Sequence, residues 1–286
     1  MGSNDITISE LKRSLTNELT SIFSPGEAQS HSKLILEHLG FSGISILREP
    51  STVIDSKIQA EIKKIVDELR TNKPIQYILG ETEFHGLLIK VDKNVLIPRQ
   101  ETEELVSIII KNNNHNNPKI LDVGTGSACI AIALARNIKG AELIAMDVDP
   151  GAISIAKKNA RNNKVDIEFL TESLFDFKTI PGEKKLDILV SNPPYVTESE
   201  REQMAPNVTE FEPGIALFVA NNDPLIFYRE IIRIAKNILN DDGSIWLEIN
   251  EALGKETKDL FLRNGYNSVA LLKDIHEKDR FIKAER

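Results

Sequence analysis

The pentapeptide Ser191-Asn192-Pro193-Pro194-Tyr195 has the composition of a device for holding a flat NH2 group. Consecutive prolines delete two backbone donors and stiffen the turn, so the carbonyls and the Asn192 side chain project in a fixed direction. A conjugated amide or amino nitrogen is a poor nucleophile because its lone pair is delocalised. If Asn192 Oδ1 and the Pro193 carbonyl each accept one of its two hydrogens, the nitrogen gains electron density and is aimed at an electrophilic carbon. Tyr195 can stack on the planar group and exclude water. No titrating base is needed before attack, since the proton turns acidic only as the new bond forms, and no histidine attends the motif.

A second cluster supplies a place for the other reactant. Asp122-Val123-Gly124-Thr125-Gly126-Ser127-Ala128 puts glycines where a strand should turn into a helix, so a ligand can approach bare backbone. A dinucleotide fingerprint would have a third glycine where Cys129 stands, whereas the next strand does end in an acid, Asp147, placed to accept hydrogen bonds from ribose hydroxyls. This combination points to an adenosine-containing ligand without a pyrophosphate. Asp122 either helps neutralise a cationic ligand, such as a sulfonium with its α-amino group, or bonds to the loop amides. Nothing near Cys129 marks it as an activated thiol, so it is expected to serve packing.

These groups need a scaffold, and hydrophobic periodicity supplies its outline. Ile8, Leu11, Leu15, Leu19 and Ile22 recur at helical spacing, as do Ile58, Ile62, Ile65 and Leu69, which predicts a small helical bundle over residues 1–75. Thr7 and Glu10 have capping-box spacing. From Gln76 the period shifts towards two, with Leu87, Ile89 and Val91 on one face, so residues 76–97 are expected to form a β-hairpin linker. A helix over Glu101–Lys111 and a polar connector over residues 112–118 follow. Strands and helices then alternate: strands at 119–123, 142–147, 166–170, 186–191 and 244–249, helices at 128–137, 150–162, 224–239 and 254–263, and closing strands near 269–275 and 280–284. Such alternation implies an α/β domain over residues 98–286, with a mostly parallel sheet covered on both faces.

Bulk properties narrow the setting. The 286 residues leave room for a large and a small domain, and 41% apolar content supports a globular chain. A net charge of -8 argues against a general positive field for nucleic acid. One cysteine excludes an intramolecular disulfide and a multi-cysteine zinc cluster, and His31, His38, His85, His115 and His276 are scattered, so no metal is expected. No segment approaches 18 uninterrupted apolar residues, and the polar start lacks a secretory core. The expectation is a cytoplasmic monomer without membrane attachment. Met1–Ser3 read as a cloning remnant.

The chain resembles the HemK/PrmC family of protein-glutamine methyltransferases over nearly its whole length. The most specific stretch is Pro74-Ile75-Gln76-Tyr77-Ile78-Leu79-Gly80, then Phe84-His85-Gly86-Leu87, then Val95-Leu96-Ile97-Pro98-Arg99-Gln100-Glu101-Thr102-Glu103. Further matches are Asp122 to Ser127, Asp147-Val148-Asp149-Pro150, Asn192-Pro193-Pro194-Tyr195, and Glu212-Pro213 through Ala216-Leu217-Phe218 to Phe227-Tyr228-Arg229. The resemblance implies a seven-stranded, Rossmann-like methyltransferase domain whose last strand is antiparallel, S-adenosylmethionine as methyl donor, and S-adenosylhomocysteine as product. It implies as acceptor the glutamine of the Gly-Gly-Gln motif in class 1 peptide chain release factors, recognised with help from the N-terminal helices. Cofactor contacts would fall to Asp122, Gly124, Thr125, Gly126, Ser127, Ala128, Asp147, Leu174 and Asn192. Substrate contacts would fall to Arg99, Thr102, Asn192, Pro193, Pro194 and Tyr195, with Asn192, Pro193 and Tyr195 catalytic. The sequence departs from the family pattern at Ala128, where the last loop glycine usually stands, at Gln100, where a proline usually follows Arg99, and at Ser173-Leu174 beside the expected adenine pocket. An amino-methyltransferase acting on adenine or cytosine in DNA or RNA would use the same Asn-Pro-Pro-Tyr logic and is the alternative.

Overall fold

The computed structural model describes residues 6–180 and 185–286; the Met1–Ser3 stretch lies outside them. The chain divides into two compact units, Met1–Gly80 and Glu81–Arg286. The first is helical: α1 (Ile8–Leu19), α2 (Pro25–His38), α3 (Gly43–Arg48), α4 (Ser56–Leu69) and α5 (Ile75–Leu79). Thr7 and Ser24 each close a capping box, with Glu10 and Glu27, which satisfies amide donors that a helix start leaves open. The predicted stripes turn inward: Ile8, Leu11, Leu15 and Leu19 meet Ile62, Ile65 and Leu69 in one core with Ile35 and Leu36 of α2, and Ile22 and Ile58 pack at its margin.

The expected hairpin is shorter than 76–97. Gln76–Leu79 belong to α5, a single turn that begins after Pro74 and ends at Gly80 with φ 73°. The hairpin proper is β1 (Glu81–Phe84) against β2 (Leu87–Lys90), joined by His85 and Gly86, both at positive φ, as a two-residue turn of matching twist requires.

In the second unit α6 (Gln100–Asn112) leads to β3 (Lys119–Val123), α7 (Cys129–Asn137), β4 (Glu142–Asp147), α8 (Pro150–Asn162), β5 (Ile167–Thr171) and β6 (Leu186–Ser191). A two-residue strand β7 (Val196–Thr197), the short α9 (Pro206–Thr209) and β8 (Phe218–Val219) come next, followed by α10 (Ile226–Ile238), β9 (Leu239–Glu248), α11 (Gly254–Arg263), β10 (Ser268–Lys273) and β11 (Asp279–Glu285). The main sheet has the order β10-β11-β9-β6-β3-β4-β5. β9, β6, β3, β4 and β5 run parallel, and β11 is antiparallel to both its neighbours, as expected for the closing strand. β9 starts five residues before the predicted Ser244. Leu186 pairs with Leu239 and Ile188 with Ser244, so a bulge absorbs Asn240–Gly243 and lets this polar run extend the strand. β7 and β8 pair in parallel, which anchors the chain just beyond the two prolines.

Register determines what the sheet can hold. Val123 lies opposite both Met146 and Ser191, and Ser191 lies opposite Leu247. The carboxyl ends of β3, β4, β6 and β9 are therefore level, and Gly124, Asp147, Asn192 and Glu248 leave the sheet side by side. This edge is where open α/β sheets bind ligands. Among the described residues no helix is long and apolar enough to cross a membrane.

Candidate active site

A cavity of about 360 Å³ opens at this edge, and Gly124, Gly126, Asp147, Thr102, Asn192 and Pro193 are among the residues lining it. Gly124 and Gly126 have φ of +70° and +54°, and a Cβ added at either would meet nothing within 4 Å. The loop is thus a bare cradle whose conformation favours glycine and whose open side admits a ligand to the backbone. Gly124 and Thr125 both donate their amides to the Met146 carbonyl (2.8 and 2.9 Å), which pins the turn to β4. Ala128 adopts φ 63° at the start of α7. It is fully buried and does not line the cavity, an alanine held in a left-handed conformation.

Asp147 receives the Gly126 amide on Oδ2 (2.8 Å) and the Asp149 amide on Oδ1 (3.0 Å). Each oxygen keeps a second lone pair for a hydroxyl donor. Asp122 stands one layer behind the loop, fully buried, where Oδ2 accepts the Thr125 hydroxyl at 2.6 Å and Oδ1 is buried without a hydrogen-bond partner. The loop is therefore tied to Asp122 through a side-chain hydroxyl. Burial pushes its carboxyl up to about 7. Cys129 does line the cavity, with burial pushing its thiol up to about 12, so it stays protonated and packs.

Those carboxyl shifts have a consequence for stability. Burial raises Asp122, Asp147 and Glu248 alike. A carboxyl that holds its proton more tightly folded than unfolded stabilises the fold at low pH, and the contribution is lost as pH climbs through the folded value. For Asp122 this spans the interval from the ordinary carboxyl value of 3.8 to about 7, with a slope of up to about 1.4 kcal/mol per pH unit. The unliganded protein should be more stable to urea at pH 6 than at pH 8, and Asp122→Asn should narrow the gap. An unchanged slope in the variant would discard the assignment.

The opposite wall carries the acceptor machinery. Asn192 Nδ2 donates to Thr102 Oγ1 (3.1 Å), so the amide oxygen is the edge turned away from Thr102. Thr102 Oγ1 in turn donates to Glu248 Oε2 (2.7 Å), and the Tyr195 hydroxyl donates to Glu248 Oε1 (2.9 Å). Tyr195 is not part of the cavity wall, unlike Asn192, Pro193 and Pro194; it packs on the sheet core, with its ring braced behind the motif. Ser191 Oγ ties the strand end to the Val123 carbonyl at 2.7 Å. Arg99 lines the cavity while its guanidinium bonds Glu212 Oε1 (2.5 Å), and Glu212 Oε2 accepts the Ile97 amide (3.0 Å). Glu212→Ala would strand a buried amide and release the Pro98–Arg99 lip. A loss of roughly 1–3 kcal/mol in urea denaturation is expected.

At the far end Leu174 and Phe175 line the cavity with Phe227, whose ring meets that of Phe175 edge-on at 5.5 Å. Arg233 fixes this strip by donating to the carbonyls of Leu174 (2.9 Å), Phe175 (3.3 Å) and Phe177 (3.1 Å). Sequence reasoning assigned no role to Glu248, Glu212 or Arg233. The first carried a signal, a carboxylate inside the apolar run Ile245-Trp246-Leu247-Glu248-Ile249, because an acid is seldom placed in a central strand without buried partners.

Residues 100–210 match the sequence family described as Methyltransferase small domain, and residues 10–80 match the one described as PrmC N-terminal domain. The release factor glutamine methyltransferase of Flavobacterium psychrophilum is 42% identical over 96% of this chain and 98% of its own length. That of Bacteroides thetaiotaomicron is 40% identical over 95% and 98%. Among solved structures, the hMettl16 catalytic domain in complex with MAT2A 3′UTR hairpin 1 aligns with a TM-score of 0.54 at 17% identity, covering 82% of this chain and 83% of that one. A methyltransferase from Pyrococcus furiosus gives 0.51 at 18%, covering 80% and 98%. At such identities these two likenesses speak for the fold.

Proposed function

The chain belongs to the release factor glutamine methyltransferase family, and from that premise we propose that it moves a methyl group from S-adenosylmethionine to the side-chain nitrogen of the glutamine in the Gly-Gly-Gln motif of class 1 release factors. The observation that carries this reading is the Asn192 amide, held at the cavity wall with its nitrogen tied to Thr102 and its oxygen left to accept. The open glycine cradle and the half-buried Asp147 beside it fit the proposed cofactor.

S-adenosylmethionine supplies an electrophilic methyl carbon on a sulfonium centre. On the protein side, Asp147 would accept from the ribose hydroxyls, Gly124 and Gly126 would let the ligand lie on backbone, and Leu174 with Phe175 and Phe227 would flank the adenine. A cationic ligand on the loop would favour the ionised form of the buried Asp122 carboxyl behind it. Asn192 Oδ1 and the Pro193 carbonyl accept the two hydrogens of the acceptor amide, which orients its nitrogen and raises its electron density. As the nitrogen–carbon bond forms, the carbon–sulfur bond would break to leave neutral S-adenosylhomocysteine, and the nitrogen would release one of those protons to solvent. Tyr195 and Thr102 hold the motif from behind through Glu248, and Arg99 with Glu212 shapes the rim. The N-terminal helical unit contributes recognition of the protein substrate.

Incubation with S-adenosylmethionine and a class 1 release factor, followed by fragment mass spectrometry, should show one added methyl group on the Gly-Gly-Gln glutamine. Methyl transfer to RNA or DNA with none to the release factor would replace this reading by the nucleic-acid alternative.

A further inference from the structure

We propose that Glu248 is a positioning residue for the transfer: by accepting the Thr102 hydroxyl proton it forces the Asn192 amide to present oxygen, and not nitrogen, to the acceptor. The inference rests on the methyl-transfer reading of the cavity, and it concerns how Asn192 acquires its orientation.

An asparagine amide is nearly symmetric in shape, so packing alone does not choose which end faces a ligand. Turned the wrong way, Asn192 would offer two N–H donors to an acceptor that is itself an NH2 group, and the grip would be lost. The chain Asn192–Thr102–Glu248 removes this ambiguity by hydrogen-bond direction. Glu248 is 1% exposed, and in its ionised form it can only accept. The Thr102 hydroxyl must therefore spend its single proton on Oε2 (2.7 Å). Its oxygen then meets Asn192 as an acceptor, which only Nδ2 can satisfy, at 3.1 Å. The Tyr195 hydroxyl on Oε1 (2.9 Å) occupies the other carboxylate oxygen and ties the orienting group to the motif it orients.

The charges around Glu248 decide whether it accepts or donates. Thr102 and Glu101 face it from α6, Tyr195 from the strand end, Tyr228 from α10, and Arg280, itself paired with Asp274 at 3.1 Å, from β11. Desolvation raises the Glu248 carboxyl, opposed by the two hydroxyl bonds and by the Arg280 charge. Once protonated, Glu248 can donate to Thr102. The Thr102 proton is then free to point at Asn192, and the amide reverses to offer its oxygen inward. Acid should thus abolish turnover at saturating cofactor by reversing an amide, with no change in the fold.

Four variants test this: Glu248→Gln, Thr102→Val, Thr102→Ser and Asn192→Asp. The first two should lower kcat roughly ten- to a hundredfold, the scale of misplacing a reacting group. KM for the release factor and the dissociation constant of S-adenosylmethionine should hold, Thr102→Ser should restore the rate, and the acid limb of kcat should vanish in Glu248→Gln. Independently of any substrate, the Asn192 side-chain NH2 resonance, assigned by its loss in Asn192→Asp, should exchange slowly with solvent in the parent and lose that protection in Thr102→Val and Glu248→Gln. Parental kcat in Glu248→Gln, failure of Thr102→Ser to rescue, or an Asn192 resonance indifferent to both changes overturns the proposal. The resonance needs neither cofactor nor release factor, so it judges the orienting chain even where the assigned acceptor proves wrong.

Discussion

Replacing Asn192 with alanine should lower turnover by about a hundredfold or more, with the affinity for S-adenosylmethionine almost unchanged. The asymmetry follows from where the side chain acts. Asn192 Nδ2 is committed to Thr102, so its contribution to chemistry is a single oxygen aimed at the acceptor. That oxygen strengthens its hold as the acceptor nitrogen becomes positive, an interaction realised in the transition state and weak before it. A hundredfold corresponds to about 2.7 kcal/mol, in the range measured when one preorganised polar group is removed from a reacting centre. The cofactor cradle, by contrast, is built from the β3 and β4 ends and survives the change. Single-turnover rates beside a calorimetric titration of cofactor separate the two effects, and a variant that keeps parental turnover ends the role assigned to Asn192.

Asp147→Ala should do the reverse. Loss of a charged acceptor for ribose hydroxyls should weaken cofactor binding by roughly 1–3 kcal/mol, and turnover at saturating cofactor should change far less. Part of the loss is indirect, because Asp147 also holds the Gly126 amide at 2.8 Å and so sets the cradle itself. Asp147→Asn separates the parts: its amide oxygen can keep the Gly126 bond while the charge is gone, so an intermediate affinity is expected. Titration at fixed pH reads both variants, and an affinity equal to the parent's in Asp147→Ala would remove the ribose assignment.

The architecture could be read from the sequence wherever period and punctuation agreed. The Leu11-Leu15-Leu19 stripe, the strand-to-helix glycines at 124 and 126, and the alternation from Lys119 to Ser191 each encode local geometry within a few residues. Gln76–Leu79 eluded that reading because one helical turn between Pro74 and Gly80 is too short to show a period of its own. β7 and β8, two residues each, are defined only by their partner. The same limit hid much of the site. Thr102 and Glu248 are 146 positions apart, and Ile97 and Glu212 are 115 apart. Such bonds leave no local pattern; they exist because the level strand ends bring Asn192 and Glu248 together at one edge.

The antiparallel β11 lies between β9 and β10, so β10 joins the rest of the sheet only through a partner that is made after it. In folding, β10 reaches the sheet only together with β11, its hairpin partner across residues 274–278, so the β9 edge stays uncovered until that hairpin docks. Until then the free edge of β9, apolar from Ile245 to Leu247, is an open template for strands of other chains. Aggregation during refolding should therefore be greatest before that hairpin docks.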